Sequence, residues 1–262
     1  MKLAWFSAGI TSAVACKLAV EKHDDVQMWY IHIDTHHEDN WRFIADCERW
    51  IGQKINIIQH NKFKSQFDVI RNRQYINGPY GAPCTQLLKK EMRYELEKRL
   101  SPNAQIFGFE YSTGEINRAI RFKEQWPDTK PIFPLIENRI SKEECAGIVI
   151  GAGIQLPEMY RIGYNNNNCI GCVKGGKGYW NKIRQDFPDV FDEMSKAERE
   201  IGATCLKDSD GRVYLDDLDP NEGRETPPVV ADCGIFCQVE FAHLMDSRTE
   251  KIMNGEMEIC EV

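Results

Sequence analysis

Residues 2–22 read KLAWFSAGITSAVACKLAVEK. A short apolar run, KLAWF, stops at a turn of small residues, and an amphipathic helix over 12–22 follows at once. An apolar run of that length, bounded by Ser and Gly, predicts a buried strand, so the stretch reads as strand, tight turn, helix. The turn has chemical consequences. Small residues let backbone N–H groups approach an anion, and the helix N-terminus adds about half a positive charge there. Ser7, Ala8, Gly9, Thr11 and Ser12 are therefore candidate contacts for a phosphate or sulfate. Taken alone, the S-x-G-x-x-S spacing fits an ordinary turn between strand and helix equally well.

The same alternation continues outward. QMWYIHI (27–33), KINIIQ (54–59), AQIFGF (104–109) and KPIFPL (130–135) read as four more buried strands. Helices are expected after the second strand, with Trp41, Ile44, Ala45 and Ile51 on one face, and over 85–100, with Leu88, Met92, Leu96 and Leu100 four residues apart. Strands alternating with helices imply parallel pairing through crossovers, hence an α/β fold with a doubly wound, mostly parallel five-stranded sheet. Such sheets bind ligands at the carboxyl ends of their strands. Asp34 and Thr35 stand at such an end, although Asp34 would serve equally as a helix cap.

From residue 141 the pattern changes. Ser141 with Glu144 forms a capping box that opens a helix, further helical stretches run over 178–202, and a hairpin at 204–218 is expected to turn at Asp210-Gly211. The organisation is thus an α/β domain at 1–140 and a smaller cysteine-containing region at 141–262.

The net charge of −7 over 262 residues gives no general basic footprint for nucleic acid, although Lys174, Lys177, Lys182 and Arg184 form a local basic patch. Ten cysteines is a high number, but disulfide scaffolds are usually much shorter chains. Cys16, Cys47 and Cys145 fall in apolar-periodic stretches and read as buried small hydrophobes. The N-terminal stretch through Cys16 outwardly resembles a signal peptide, but the Ser-Ala-Gly-Ile-Thr-Ser turn interrupts its apolar run. No other stretch approaches the ~20 apolar residues of a membrane span. A cytoplasmic protein with no membrane partner is expected.

The remaining cysteines carry chemistry. In NCIGCVKGGKGYW (168–180), Cys169 and Cys172 have the spacing of zinc knuckles, of iron–sulfur sites and of redox dithiols alike, and they supply only two ligands. Lys174 and Lys177, among glycines, suit a phosphate or a nucleic-acid backbone. Tyr179 and Trp180 would either stack on a base or pack as core. Near the C-terminus, DCGIFC adds Cys233 and Cys237.

Six features in order resemble the PP-loop superfamily, specifically the phosphoadenosine phosphosulfate (PAPS) reductase family: the loop at 7–12, IDTHHED, GAPCTQLLKK, GFEYSTGEINRA, then PIFPL with LPEMYRIGYNNNNCIGC, and the DCGIFC tail. The resemblance implies an adenine nucleotide, either PAPS/APS or ATP, at the carboxyl edge of the sheet. Its phosphates would lie at Ser7–Ser12, with Gly108 nearby and Lys89, Arg118 and Lys90 directed at the anion. It implies a [4Fe–4S] cluster or Zn²⁺ on Cys84, Cys169, Cys172 and a tail cysteine, Cys237, with Cys233 as the thiolate nucleophile. If Cys233 were the ligand instead, the nucleophile would be lost. The implied activity is sulfonucleotide reduction with a thioredoxin-like reductant. The alternatives are ATP-dependent thiolation of a nucleic acid and a nucleotide- or zinc-binding protein without turnover, and a homo-oligomer is left open. Three departures stand out: Thr11 where ATP pyrophosphatases have Asp, Pro83-Cys84 for a Cys-Cys pair, and Phe236-Cys237 for His-Gly.

Overall fold

The computed structural model describes residues 1–78, 81–209, 211–224 and 227–231. Its centre is β1 (Lys2–Trp5), where Leu3 and Ala4 are fully buried, as an apolar run without polar alternation requires. The turn after β1 leads into α1 (Ile10–Lys22), which starts two residues earlier than the sequence pattern suggested. The chain continues through β2 (Val26–His32), α2 (Asn40–Ile51), β3 (Ile55–Gln59) and α3 (Gln66–Arg73). Next come a short α4 (Pro83–Thr85), a wide π-type turn over Gln86–Glu91 and α5 (Met92–Leu100), then β4 (Ala104–Ile106), α6 (Thr113–Gln125) and β5 (Pro131–Ile132). All five strands are parallel in the order β3-β2-β1-β4-β5. The order reverses between β1 and β4, which opens a crevice at their carboxyl ends.

The sheet's core continues past residue 140. After α7 (Pro134–Glu137), the capping box of Ser141 and Glu144 forms and opens α8 (Lys142–Gly151). Its Cys145, Ala146, Ile148 and Val149 pack with α1 and with Ala4, Phe6 and Met28 of the sheet region. Cys16 and Cys47 lie in the same core. A second core forms where α3, α10 (Lys177–Asp186), α11 (Pro188–Ile201) and the hairpin β6 (Leu206–Asp208)–β7 (Gly211–Val213) meet around Trp180. α9 (Glu158–Arg161) lies between the two cores and contributes Tyr160 to the first and Met159 to the second. No helix among the described residues is long and apolar enough to cross a membrane.

Several local expectations change. The buried face of α2 is Phe43, Ile44, Cys47 and Ile51, whereas Trp41 is 45% exposed and packs its ring beside Tyr30 and His32. The helix expected over 85–100 is interrupted by the π-type turn, which adds a residue per turn and lets Leu87 and Leu88 both face inward. The segment before residue 74 looked merely polar, yet a Ser65–Asp68 capping box starts α3 there and buries Phe67, Val69 and Ile70. β4 and β5 are shorter than expected, and Phe107, Phe109 and Phe133 beyond them pack with Ala119 of α6 in an aromatic cluster.

Candidate active site

The turn after β1 is built to expose backbone. Ala8 adopts a left-handed conformation (φ 58°), uncommon for a residue with a Cβ, and Gly9 then caps α1 with extended backbone. The Ser12 hydroxyl accepts from Ser7 N–H and Ser7 Oγ, each at 3.0 Å, and donates to the Gly9 carbonyl at 2.8 Å. Ser12 is only 4% exposed, so its side chain staples the turn and does not face a ligand. Ser7 is exposed, and Thr11 stands half-buried in the first turn of α1, where N–H groups lack intrahelical acceptors. Gly108, just past β4, crosses this turn at close range: a Cβ there would lie 2.7 Å from Ser12 Cα and 2.8 Å from its nitrogen. Only glycine allows that approach.

What holds the turn is a residue the sequence reading passed over as part of a four-Asn run. Asn167, 8% exposed, donates from Nδ2 to the Ala8 carbonyl at 2.7 Å and to Asn40 Oδ1 at 2.7 Å. Asn40 donates to the Tyr30 hydroxyl at 3.2 Å, which lies 2.6 Å from His36 Nδ1. His36 follows β2, and burial, with the nearby Lys89 and His32 charges, holds it well below its ordinary pKa, so the ring stays neutral. The buried Tyr160 hydroxyl bonds the backbone of both Ile10 and Asn167. The turn after β1, the end of β2 and the Asn167 loop are thus one hydrogen-bonded unit. The available signal was the run's position directly before Cys169, not its composition.

The CxxC segment attaches to the same unit. The Thr35 carbonyl accepts from Ile170 N–H at 2.8 Å, and Gln66 Nε2 donates to the Ile170 carbonyl at 2.8 Å. Thr35 Oγ1 bonds Gln66 Oε1 and also Cys169, so Thr35 positions the cysteine loop and is not free for a nucleotide. The Tyr179 hydroxyl accepts from Cys172 N–H at 2.9 Å and donates to the Cys169 carbonyl at 3.3 Å. Tyr179 is therefore a brace and Trp180, fully buried, is core; the base-stacking role falls away for both. Gly171 has φ +73°, and a Cβ there would meet Val190 Cγ1 at 2.7 Å.

Cys84 and Cys169 pack into one small cluster with Ile33, Leu87 and Leu88. Burial pushes the Cys84 thiol up to about 11, with Cys169 and Cys172 adding to the rise and Lys89 opposing it. Cys169 is raised by burial, with Lys89 again the main opposing charge. Lys89 sits half-buried in the π-type turn, within electrostatic range of both thiols and of His36. Lys90 is exposed.

Other predicted contacts are committed elsewhere. Lys177 pairs with Asp208 at 3.2 Å and with Glu222. Its neighbours in the basic patch are likewise engaged: Lys182 with Asp186 at 2.9 Å, and Arg184 with the Leu215 and Leu218 carbonyls. Lys174 is exposed at the rim of a cavity of about 720 Å³ that Cys172 also lines. Arg118 lies over the Phe109 ring at 4.2 Å and bonds Glu115. Asp34 accepts from Gln59 at 2.6 Å and keeps a half-exposed carboxylate beside His32. Cys233 and Cys237 lie outside the described residues.

The donor set tests the metal expectation. Cys84, Cys169 and Cys172 are free thiols, two of them packed in one cluster, with no carboxylate in that cluster. Among the described residues no three His, Cys, Asp or Glu side chains converge as they would around a single ion. Four thiolates on one zinc sit about 3.8 Å apart, as Zn–S bonds of about 2.3 Å in a tetrahedron require. A cube of four irons, each taking one thiolate, spreads them wider.

No curated protein sequence matches the chain. Among solved structures, the chain is similar to phosphoadenylyl-sulfate (PAPS) reductase from Candida auris, determined as a phosphate complex. The TM-score is 0.44 at 14% identity, over 62% of this chain and 77% of that one. The family model of the phosphoadenosine phosphosulfate reductase domain matches residues 3–175, from β1 through the CxxC segment and most of the way along the candidate site. With two thirds of its length in that match, this chain belongs to the phosphoadenosine phosphosulfate reductase domain family.

Proposed function

We propose that the chain is an adenine-nucleotide-dependent enzyme of sulfur chemistry, and that its reaction is reduction of a sulfonucleotide. One observation carries the reading: Asn167, two residues before Cys169, holds the Ala8 carbonyl at 2.7 Å, so the anion turn and the cysteine loop are one rigid unit. The nucleotide would lie across the carboxyl ends of β1 and β4, with its anionic groups at the N–H groups of Gly9–Ser12 and Lys89 alongside. Cys233 would supply the nucleophile. Its thiolate attacks the sulfate sulfur, an S–S bond forms, the S–O bond to the nucleotide phosphate breaks, and the phosphate leaves with the electron pair. A thioredoxin-like dithiol then reduces the S-sulfocysteine, releasing sulfite and ending as a disulfide.

A second reading is ATP-driven sulfur transfer to a nucleic acid. The cavity flanking Cys172 favours it, because Lys174, Arg224 and the amides of Asn165, Asn166 and Asn168 would give a second, anionic substrate access to a thiol. Parallel incubations with PAPS plus a dithiol and with ATP separate the two. Sulfite release supports the first and pyrophosphate release the second. Neither product from folded, metal-replete protein refutes both.

A further inference from the structure

The hydrogen bonds that join the turn after β1 to the loop after β2 run in one direction. Asn167 Nδ2 carries two hydrogens, and they go to the Ala8 carbonyl and to Asn40 Oδ1, each at 2.7 Å. That amide has one possible orientation, because turning it over would set its oxygen against two carbonyl oxygens. Asn40, accepting through Oδ1, donates from Nδ2 to the Tyr30 hydroxyl at 3.2 Å. Tyr30 then has one hydrogen to place, and His36 Nδ1 stands 2.6 Å away.

This polarity fixes the histidine. A phenol hydrogen aimed at Nδ1 requires that nitrogen to be bare, which puts the ring's own proton on Nε2. The opposite arrangement, with Nδ1–H donating to the phenol oxygen, would leave the Tyr30 hydrogen without an acceptor, although Tyr30 is only 1% exposed. Tyr30, Asn40 and Asn167 are all buried, so water does not readily replace a lost partner. The backbone of the loop is held as well: His36 N–H donates to the Ile33 carbonyl at 2.8 Å, and Asn40 N–H to the His37 carbonyl at 3.1 Å. At the far end stands Ala8, whose left-handed conformation shapes the turn. The charges nearest the His36 ring are Lys89, from the π-type turn, and His32, from β2; with burial, both disfavour a second proton there.

We infer that His36 is a positioning residue for the anion turn: as a neutral ring with its proton on Nε2, it ends the relay through Tyr30, Asn40 and Asn167 that holds the Ala8 carbonyl. The inference rests on the reading of this turn as the anion-binding element, and adds a residue that acts on it through three others.

The test uses the full chain. Long-range proton–nitrogen correlation spectra of nitrogen-15-labelled protein at neutral pH should show His36 Nδ1 bare and Nε2 protonated. The reverse tautomer, or a doubly protonated ring, would overturn the inference. Amide exchange then reads the turn itself, at Ser7, whose N–H donates to Ser12 Oγ, and at Ile10, whose N–H meets the Tyr160 hydroxyl. His36→Leu should speed exchange at both about tenfold, as loss of one buried hydrogen-bond partner implies. His36→Asn, whose Oδ1 takes the place of Nδ1, should stay close to wild type. Wild-type exchange in His36→Leu, or exchange in His36→Asn as fast as in His36→Leu, would refute the role. The double variant His36→Leu/Asn167→Ala should exchange no faster than Asn167→Ala alone, because the relay is already cut; additive effects would show that the two residues act separately. Should His36→Leu not fold, the wild-type tautomer decides alone. Calorimetry with PAPS separates this inference from the proposed function. A wild-type protein that passes the tautomer and exchange tests yet binds no PAPS would refute that function and leave His36 in its role.

Discussion

Asn167 Nδ2 and the Ala8 carbonyl oxygen are 2.7 Å apart, which ties the loop before the CxxC to the only non-glycine left-handed residue of the anion turn. The same amide also donates to Asn40 Oδ1, so one side chain sets the turn against the end of β2. Asn167→Ala should leave both carbonyls buried and unpaired. Losing one buried partner costs about 2 kcal/mol, or roughly 30-fold in affinity when the cost falls on the bound form. Adenine-nucleotide affinity measured by calorimetry should drop by about that factor with the far-UV spectrum intact. Unchanged affinity would show that the turn is held by other means.

Gly108 and Ser12 make the complementary test. Backbone cannot swing aside as a side-chain tip can, so the new methyl in Gly108→Ala must displace either the end of β4 or the anion turn. Overpacking of this kind costs about 1–3 kcal/mol. Nucleotide affinity and melting temperature should fall together. Gly114→Ala is the control: it lies in α6 with nothing near its Cβ position, and should be neutral or stabilise by about 0.5–1 kcal/mol through helix propensity. Equal behaviour of the two variants would refute the close-approach argument.

The fold was legible in the sequence because β1 is buried on both faces at Leu3 and Ala4, so its apolar run carries no competing pattern; β1 and β2 follow within a residue or two. What was not legible has two physical causes. Side chains such as Ser12, Thr35 and Lys177 have the right chemistry for an anion, but tertiary partners claim them: Gly9, Gln66 and Cys169, and Asp208 with Glu222. Conversely Asn167 looks ordinary in sequence, a member of an Asn run, and gains meaning only from Ala8 and Asn40, more than a hundred positions away. The π-type turn that places Lys89 belongs with these, since helical spacing alone gave no sign of it.

Lys89 and Lys90 adjoin in sequence and differ in environment. The Lys89 charge lowers both Cys84 and Cys169 thiols against the larger effect of burial, while Lys90 is exposed. In metal-free protein at about pH 9, Lys89→Met should raise the Cys84 pKa and cut its thiolate fraction, slowing iodoacetamide labelling of Cys84 about three- to tenfold. Lys90→Met should leave the rate unchanged. Peptide mass spectrometry of timed quenches reads this directly, and equal rates in the two variants would remove Lys89 from the thiol site.

The thiols also set how the metal-free protein responds to alkali. Burial pushes Cys16 up to about 12 and Cys84 up to about 11, from an ordinary 9.0, and raises Cys47, Cys145 and Cys205 in the same direction. A folded state that keeps protons which the unfolded chain sheds binds more protons above pH 9, so stability must fall as pH rises there. Below the unfolded value both states hold the proton and the contribution is complete. The melting temperature should therefore be nearly flat from about pH 7 to 8.5. From about pH 9 to 11 it should decline, each fully differing thiol adding about 1.4 kcal/mol per pH unit. Cys16→Ala should flatten part of that slope, because Cys16 is buried in α1 and burial is what raises its thiol. A melting temperature that holds or rises between pH 9 and 11 would show that these cysteines are open to solvent, and the packing assigned to them in the sheet's core would have to be withdrawn.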